Sequence, residues 1–202
     1  REVSPCSTSE TDEGREQSRP IFMKNKHYWD KVYQGKLDTK KFRQFSNAEL
    51  SKILAHFPHA KIAFDLGCGQ GFLMGQLEKR GMKAYGVEFS EEAKKQSRAS
   101  EKIQIADLEK FTPPFKVDIF FLKFVLAFVC RKDFLRNLQP FIKEKGGIVI
   151  LTPVGRGLVC CIGKRKLKEM CRWFEVVKEE TWYEDKKKNR KLVLLILRTN
   201  SR

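Results

Sequence analysis

The chain has 202 residues, with 41 Lys and Arg against 25 Asp and Glu, and a formal net charge of +16. That length suits one α/β domain with a sizeable core, and no apolar run approaches the roughly 20 residues of a membrane-spanning helix. Residues 1–20 hold five acids and three bases, so the remainder carries +18. Such a surface either attracts an anionic partner, nucleic acid included, or simply solubilises the domain.

Residues 1–20 are rich in Ser, Thr, Glu and Asp and lack aromatic residues, so they are expected to form a disordered tail. They contain no hydrophobic stretch of the secretory type. One domain is expected over 21–202, with N-terminal helices over 21–57 and a core over 61–202. His27-Tyr-Trp-Asp-Lys-Val-Tyr33 reads as a short aromatic helix, and Trp29 and Tyr33 at i and i+4 can share one face. Ser46-Asn-Ala-Glu49 is a capping box. It opens a helix with Leu50, Ile53, Leu54 and Phe57 on one face and Pro58 as its stop.

Lys61-Ile-Ala-Phe-Asp-Leu-Gly-Cys-Gly-Gln-Gly71 is the most informative segment. It reads as an apolar strand ending at Asp65, a glycine turn through Gly67, Cys68 and Gly69, and a helix from Phe72 to about Lys79, with Phe72, Leu73 and Leu77 on one side. A dinucleotide fingerprint needs a third glycine where Phe72 stands, and no Gly-Lys-Ser/Thr ending marks a P-loop. The next strand, Lys83-Ala-Tyr-Gly-Val-Glu88, ends on a carboxylate 21 residues after Gly67. Glu88 there is either a bidentate acceptor for ribose hydroxyls or a solvated strand end. As a ribose acceptor, it is expected to matter for binding and not for stability. Ser90, after Phe89, caps a further helix with Glu91 and Glu92 in its first turn. A short strand, Ile103-Gln-Ile105, leads to Ala106-Asp107-Leu108.

Together these segments resemble the class I S-adenosylmethionine-dependent methyltransferases, whose glycine motif has the form D-x-G-x-G-x-G. The resemblance implies a site for S-adenosyl-L-methionine built from Asp65, Gly67, Cys68, Gly69, Glu88, Phe89, Asp107 and Leu108. Asp107 would accept from the adenine amino group and Leu108 would offer its backbone amide to a ring nitrogen. Without that context Asp107 is an ordinary turn aspartate. The aromatic segment resembles the Y-W-x-x-x-Y stretch of small methyltransferases of the tellurite-resistance type. That likeness makes Tyr28, Trp29 and Tyr33 a lid over cofactor and substrate, or simply a helix docked on the core.

Val117-Asp-Ile-Phe-Phe-Leu122 is nearly all apolar, as a parallel strand buried on both faces should be. Lys123-Phe-Val-Leu-Ala-Phe-Val129 continues it, and Phe124 is either an adenine contact or core. Phe134, Leu135, Leu138, Phe141 and Ile142 follow helical spacing, with Gly146 and Gly147 as the helix end. Gly147-Ile-Val-Ile-Leu-Thr152 is a fifth strand, followed by a loop from Pro153 to Gly163 and a short basic helix. Trp173-Phe-Glu-Val-Val177 and Lys191 to Arg198 are the last strands. The fold expected is α/β: a Rossmann-like, seven-stranded, mostly parallel sheet with helices on both faces and a C-terminal antiparallel hairpin.

Six cysteines without a C-x-x-C pair read as reduced thiols in a cytosol-like, cytoplasmic setting, and no metal site is expected. His56 and His59 flank Pro58 and read as surface or half-buried side chains. The resemblance implies methyl transfer to an O, N or S nucleophile of a small molecule or RNA. No Asn-Pro-Pro-aromatic motif follows the fourth strand, which argues against adenine amino methylation in DNA, and no catalytic base is assigned. The rival reading is a nucleic-acid-binding protein that keeps this fold with little or no catalysis, its basis being the clusters Lys36/Lys40/Lys41/Arg43, Lys164–Lys168 and Lys186–Lys191. A monomer is favoured, with the oligomeric state left open.

Overall fold

A computed structural model describes residues 26–36, 44–155, 162–187 and 189–199. The expected tail at 1–20 and Lys40, Lys41 and Arg43 fall outside the described residues, as do Cys6, Cys160 and Cys161. Among the described residues no helix is long and apolar enough to cross a membrane.

The strands are β1 (Ile62–Leu66), β2 (Lys83–Glu88), β3 (Ile103–Ile105), β4 (Val117–Lys123), β5 (Ile142–Gly155), β6 (Phe174–Asp185) and β7 (Arg190–Thr199). They form one sheet in the order β3-β2-β1-β4-β5-β7-β6. The first five pair in parallel, and β7 runs antiparallel to both β5 and β6. The helices are α1 (Lys26–Lys31), α2 (Asn47–Leu54), α3 (Phe72–Glu78), α4 (Glu91–Lys95), α5 (Phe134–Leu138) and α6 (Lys164–Cys171).

Alternation along the strands divides the core in two, because successive side chains leave a sheet on opposite faces. Phe64, Leu66, Phe120 and Leu122 join α5 and α6 through Leu135, Leu138, Leu167 and Met170. Ala63, Ile119 and Phe121 join α2 and α3 through Leu50, Ile53, Leu73 and Leu77. The capping box at Ser46 forms as expected, with Glu49 N–H donating to Ser46 Oγ and Ser46 N–H to the Glu49 carboxylate. The helix it opens ends at Leu54, ahead of Pro58, and Phe57 reaches the core from a turn whose N–H bonds back to Leu54 O at 2.8 Å.

Two local expectations give way. Phe72 does not share the buried face of Leu73 and Leu77: at the first position of α3 it points outward and is 60% exposed. Phe141 and Ile142 do not continue α5. Pro140 has no N–H to donate, and the helix closes through a 3-10 turn at Gln139–Phe141. Ile142 then pairs with Val117 and Gly147 with Ile119, so 143–146 loop out of the ladder within β5. Gly147 is therefore a strand residue. A Cβ there would stand 2.1 Å from Leu197 O, so the neighbouring strand requires glycine.

Candidate functional site

β1, β2 and β3 run outward to one side of the sheet, and β4 and β5 to the other. The strand order thus reverses between β1 and β4, and open α/β sheets bind ligands in the crevice outside the carboxyl ends at such a point. Asp65, Glu88 and Lys123 all stand at or next to those ends.

The glycine turn follows β1. Gly67, Gly69 and Gly71 have φ of 77, 56 and 77°. The N–H groups of Gly67 and Cys68 donate to Val87 O at 2.8 and 3.1 Å, fastening the turn to β2. Gly69 N–H donates to Glu88 Oε2 at 2.8 Å. The other oxygen of Glu88 accepts from Phe89 N–H at 2.8 Å and Ser90 N–H at 3.0 Å. Glu88 is thus a buried carboxylate that shapes two turns as well as facing the crevice. The expectation that it is dispensable for the fold does not match this geometry. Burial pushes its pKa up, while the N–H groups of Ser90, Gly69 and Phe89 pull it back.

Asp65 is 2% exposed, and its Oδ1 has no hydrogen-bond partner. Burial pushes its carboxyl up to about 7; the Lys123 ammonium opposes this and Glu88 adds to it. Lys123, at the end of β4, donates through Nζ to Gln44 Oε1 at 2.7 Å. Burial lowers its pKa, with Asp65 opposing. Burial also raises the Cys68 thiol well above its usual value, with Asp65 and Glu88 reinforcing the shift. A thiol so placed is inert packing.

Asp107 and Leu108 are half-buried beyond β3. Ala106 N–H donates to Glu88 O at 3.0 Å, which sets this segment beside the end of β2. Asp107 Oδ1 accepts from Glu109 N–H at 2.9 Å, the local bond of a turn aspartate. Leu108 and Val125 pack against the α5–α6 cluster, whereas Phe124 packs against the α2–α3 cluster. Phe124 thus sits on the other cluster from Leu108, with a φ of 61° and its N–H on Leu151 O at 2.8 Å. Val125 stands over the turn instead: a Cβ on Gly67 would meet Val125 Cγ2 at 2.7 Å.

α1 closes the crevice from above. Asp30 accepts from Ser90 Oγ at 2.6 Å and Glu92 N–H at 3.2 Å, and Lys26 pairs with Glu91, so α1 is clamped to the start of α4. Burial works against the Asp30 charge, but these donors hold its pKa below the usual carboxylate range. Trp29 meets Phe128 and Tyr28 edge to face, with centroids 5.1 and 5.3 Å away. After α1 the chain widens into a π-helical turn, Val32–Lys36, and Gln96 Nε2 donates to Tyr33 O at 2.7 Å. A Cβ on Gly69 would stand 2.6 Å from Tyr33 Oη, so only glycine fits beneath this phenol. Burial raises the Tyr33 pKa, with Glu88, Cys68 and Asp65 adding to the effect, so the hydroxyl stays protonated.

The structure therefore gathers Asp65, Gly67, Cys68, Gly69, Glu88, Phe89 and Tyr33 in one place, with Asp107 and Leu108 beside them and Tyr28 and Trp29 against the segment beyond β4. Sequence reasoning passed over Asp30, Gln44, Lys123 and Val125. Lys123 had a readable signal: it is a charge that ends a buried strand, as Asp65 and Glu88 nearly or fully do. A separate open cavity of about 810 Å³, with Phe111, Arg131, Arg136, Gln139 and Lys143 among its walls, holds none of these residues.

Residues 64–150 match the model of a methyltransferase domain family. No curated protein sequence matches the chain. Among solved structures, a TehB-like S-adenosylmethionine-dependent methyltransferase from Corynebacterium glutamicum aligns over 86% of this chain and 98% of its own, at 18% identity and TM-score 0.61. TehB from Haemophilus influenzae aligns over 85% of this chain and 67% of its own, at 15% identity and TM-score 0.63. A Burkholderia thailandensis 1,6-didemethyltoxoflavin N1-methyltransferase, solved with that substrate and S-adenosylhomocysteine, aligns over 98% and 94%, at 12% identity and TM-score 0.69. At such identities the likeness is one of fold.

Proposed function

The chain is, by domain match and fold, a class I S-adenosylmethionine-dependent methyltransferase, and from that premise we propose that it methylates an O, N or S nucleophile of a small molecule in the crevice between β1 and β4. The observation that carries this reading is Asp65. A fully buried carboxylate with an unpaired oxygen, beside a glycine turn and under a phenol, is an acceptor kept for a ligand.

The residues present fit the cofactor. Asp65 has acceptor capacity for an ammonium, and Gly69 leaves the turn without a side chain where a ligand backs onto it. Glu88 spends three of its roughly four lone-pair positions on N–H groups, so one remains for a ribose hydroxyl. Asp107 and the amide of Leu108 are placed for the base. When bound, the cofactor supplies a sulfonium-activated methyl group. The chain's own work is then orientation and dryness: the acids and the turn fix the donor, while Tyr28, Trp29 and Tyr33 exclude water and narrow the entrance. The protonated Tyr33 hydroxyl is a donor at the turn and not a base. No further general base is needed for a nucleophile that arrives deprotonated.

The lid favours a small acceptor, since α1 is pinned across the crevice by Asp30 and by Trp29 on Phe128. The small-molecule acceptor of the Burkholderia neighbour agrees with this. RNA remains the second acceptor class only through the +16 charge. Calorimetric titration with S-adenosylhomocysteine, followed by labelled-methyl transfer to separate small-molecule and RNA panels, tests the reading. Label appearing only in RNA would overturn the small-molecule assignment, and absence of cofactor binding would overturn the whole.

A further inference from the structure

The nucleoside half of the donor has Glu88, Asp107 and the glycine turn, but nothing so far answers both charges at its amino-acid end. We propose that Asp65 and Lys123 form a subsite for that zwitterion, with the ammonium on Asp65 and the carboxylate on Lys123. The proposal rests on the cofactor reading above. Asp65 pairs in register with Phe121, and Lys123 stands two residues further along β4, so both side chains leave the sheet on the face that packs α2 and α3. One is an acid with an oxygen that nothing fills; the other is a half-buried cation that reaches Gln44 rather than closing that oxygen. A ligand bearing only a cation would satisfy Asp65 and leave Lys123 its present partner. A ligand bearing both charges a bond or two apart satisfies the acid and adds a carboxylate to the ammonium, without burying either unpaired. Gln44, already on Nζ, fixes where that ammonium points. Lys123 is thus a positioning and specificity residue for the donor, and it separates the intact donor from its truncated relatives.

The test compares S-adenosylhomocysteine with 5′-methylthioadenosine, which keeps the nucleoside and lacks the amino-acid end. By calorimetry the parent should prefer the former at least about tenfold, the scale of one hydrogen bond to a charged group. Lys123→Met should bind S-adenosylhomocysteine about tenfold or more weakly and methylthioadenosine as before, and Lys123→Arg should recover most of the loss. Equal affinity of the parent for the two ligands overturns the proposal without any variant. So does a Lys123→Met protein that binds both like the parent, which would leave Lys123 to the methyl acceptor, or one that loses both equally, which would make it structural. If Lys123→Met does not fold, Lys123→Gln takes its place in the same comparison. A parent that binds neither ligand fails at the cofactor reading itself, a result distinct from every other.

Discussion

Two aspartates sit at opposite edges of the same pair of strands, and they are used in opposite ways. Asp118, near the start of β4, accepts from Lys61 N–H at 2.9 Å and Ile62 N–H at 2.7 Å, with Lys143 Nζ at 3.5 Å. It stitches β1 to β4 where the strands begin. Asp65, near the end of β1, is more deeply buried and keeps an oxygen with no partner. Buried polar groups are nearly always paired, so an unpaired one marks work the free fold does not complete. Its edge is the one where ligands bind in this architecture. The same side chain closes the sheet at one end and leaves it open at the other.

The strongest way to break that contrast is pH. Asp65 titrates near 7 in the folded chain against an ordinary value of 3.8. The folded state therefore holds an extra proton between those values. Its contribution to stability is complete below about pH 4 and is lost as pH rises through 7, by roughly 4 kcal/mol at most. Asp65→Asn carries no such proton. It should melt like the parent at pH 4 and clearly above it at pH 8. Affinity for S-adenosylhomocysteine should run the other way in the parent, rising from pH 6 to 8 as the carboxylate that receives the ammonium forms. Parallel melting curves for parent and variant across pH 4–8 would make Asp65 as closed as Asp118.

Glu88 stands between the two cases, since it both stitches and faces the crevice. Glu88→Ala leaves the N–H groups of Gly69, Phe89 and Ser90 without their acceptor, at a cost of about 3 kcal/mol in urea denaturation. Cofactor binding should fall with it. Asp118→Ala should cost less, about 2 kcal/mol, because two N–H groups at a half-buried strand start can find water. Its cofactor affinity should match the parent. An Asp118→Ala protein that folds normally yet loses the cofactor would show that the two edges are coupled and the comparison is false.

The closed parts were the legible ones. Alternation in β1 and β4, the capping box at Ser46 and the glycine turn are local patterns, and the structure draws all of them as read. The length of α5 was not legible, because helical spacing from Phe134 to Ile142 reads alike for a helix and for a turn that delivers Ile142 to β4; only the pairing with Val117 separates them. In the site, Asp65 and Glu88 were picked out by their place at strand ends. That Glu88 would be consumed by three backbone donors was not visible, since the donors come from two turns brought together by folding. Asp30 was equally hidden. Its meaning lies in reaching Ser90, 60 residues away in sequence.

The smallest effect expected on stability belongs to α1, the element that touches the open edge from outside. Trp29 is half-buried, and its edge-to-face contact with Phe128 contributes about 1 kcal/mol. Trp29→Ala should therefore lower stability by about that much. If α1 acts as a lid, the same change should lower turnover by about tenfold, because water then reaches the crevice and the wall facing the acceptor is lost. Fluorescence separates a lid from a prop. With Trp173 and Trp182 replaced by Phe, Trp29 is the remaining tryptophan, and S-adenosylhomocysteine should shift its emission, since Tyr33, four residues on, lies over Gly69. An unmoved emission together with unaltered turnover of Trp29→Ala would make α1 a second stitch, held by Asp30 on Ser90 as Asp118 holds β1. The open edge would then begin at the glycine turn itself.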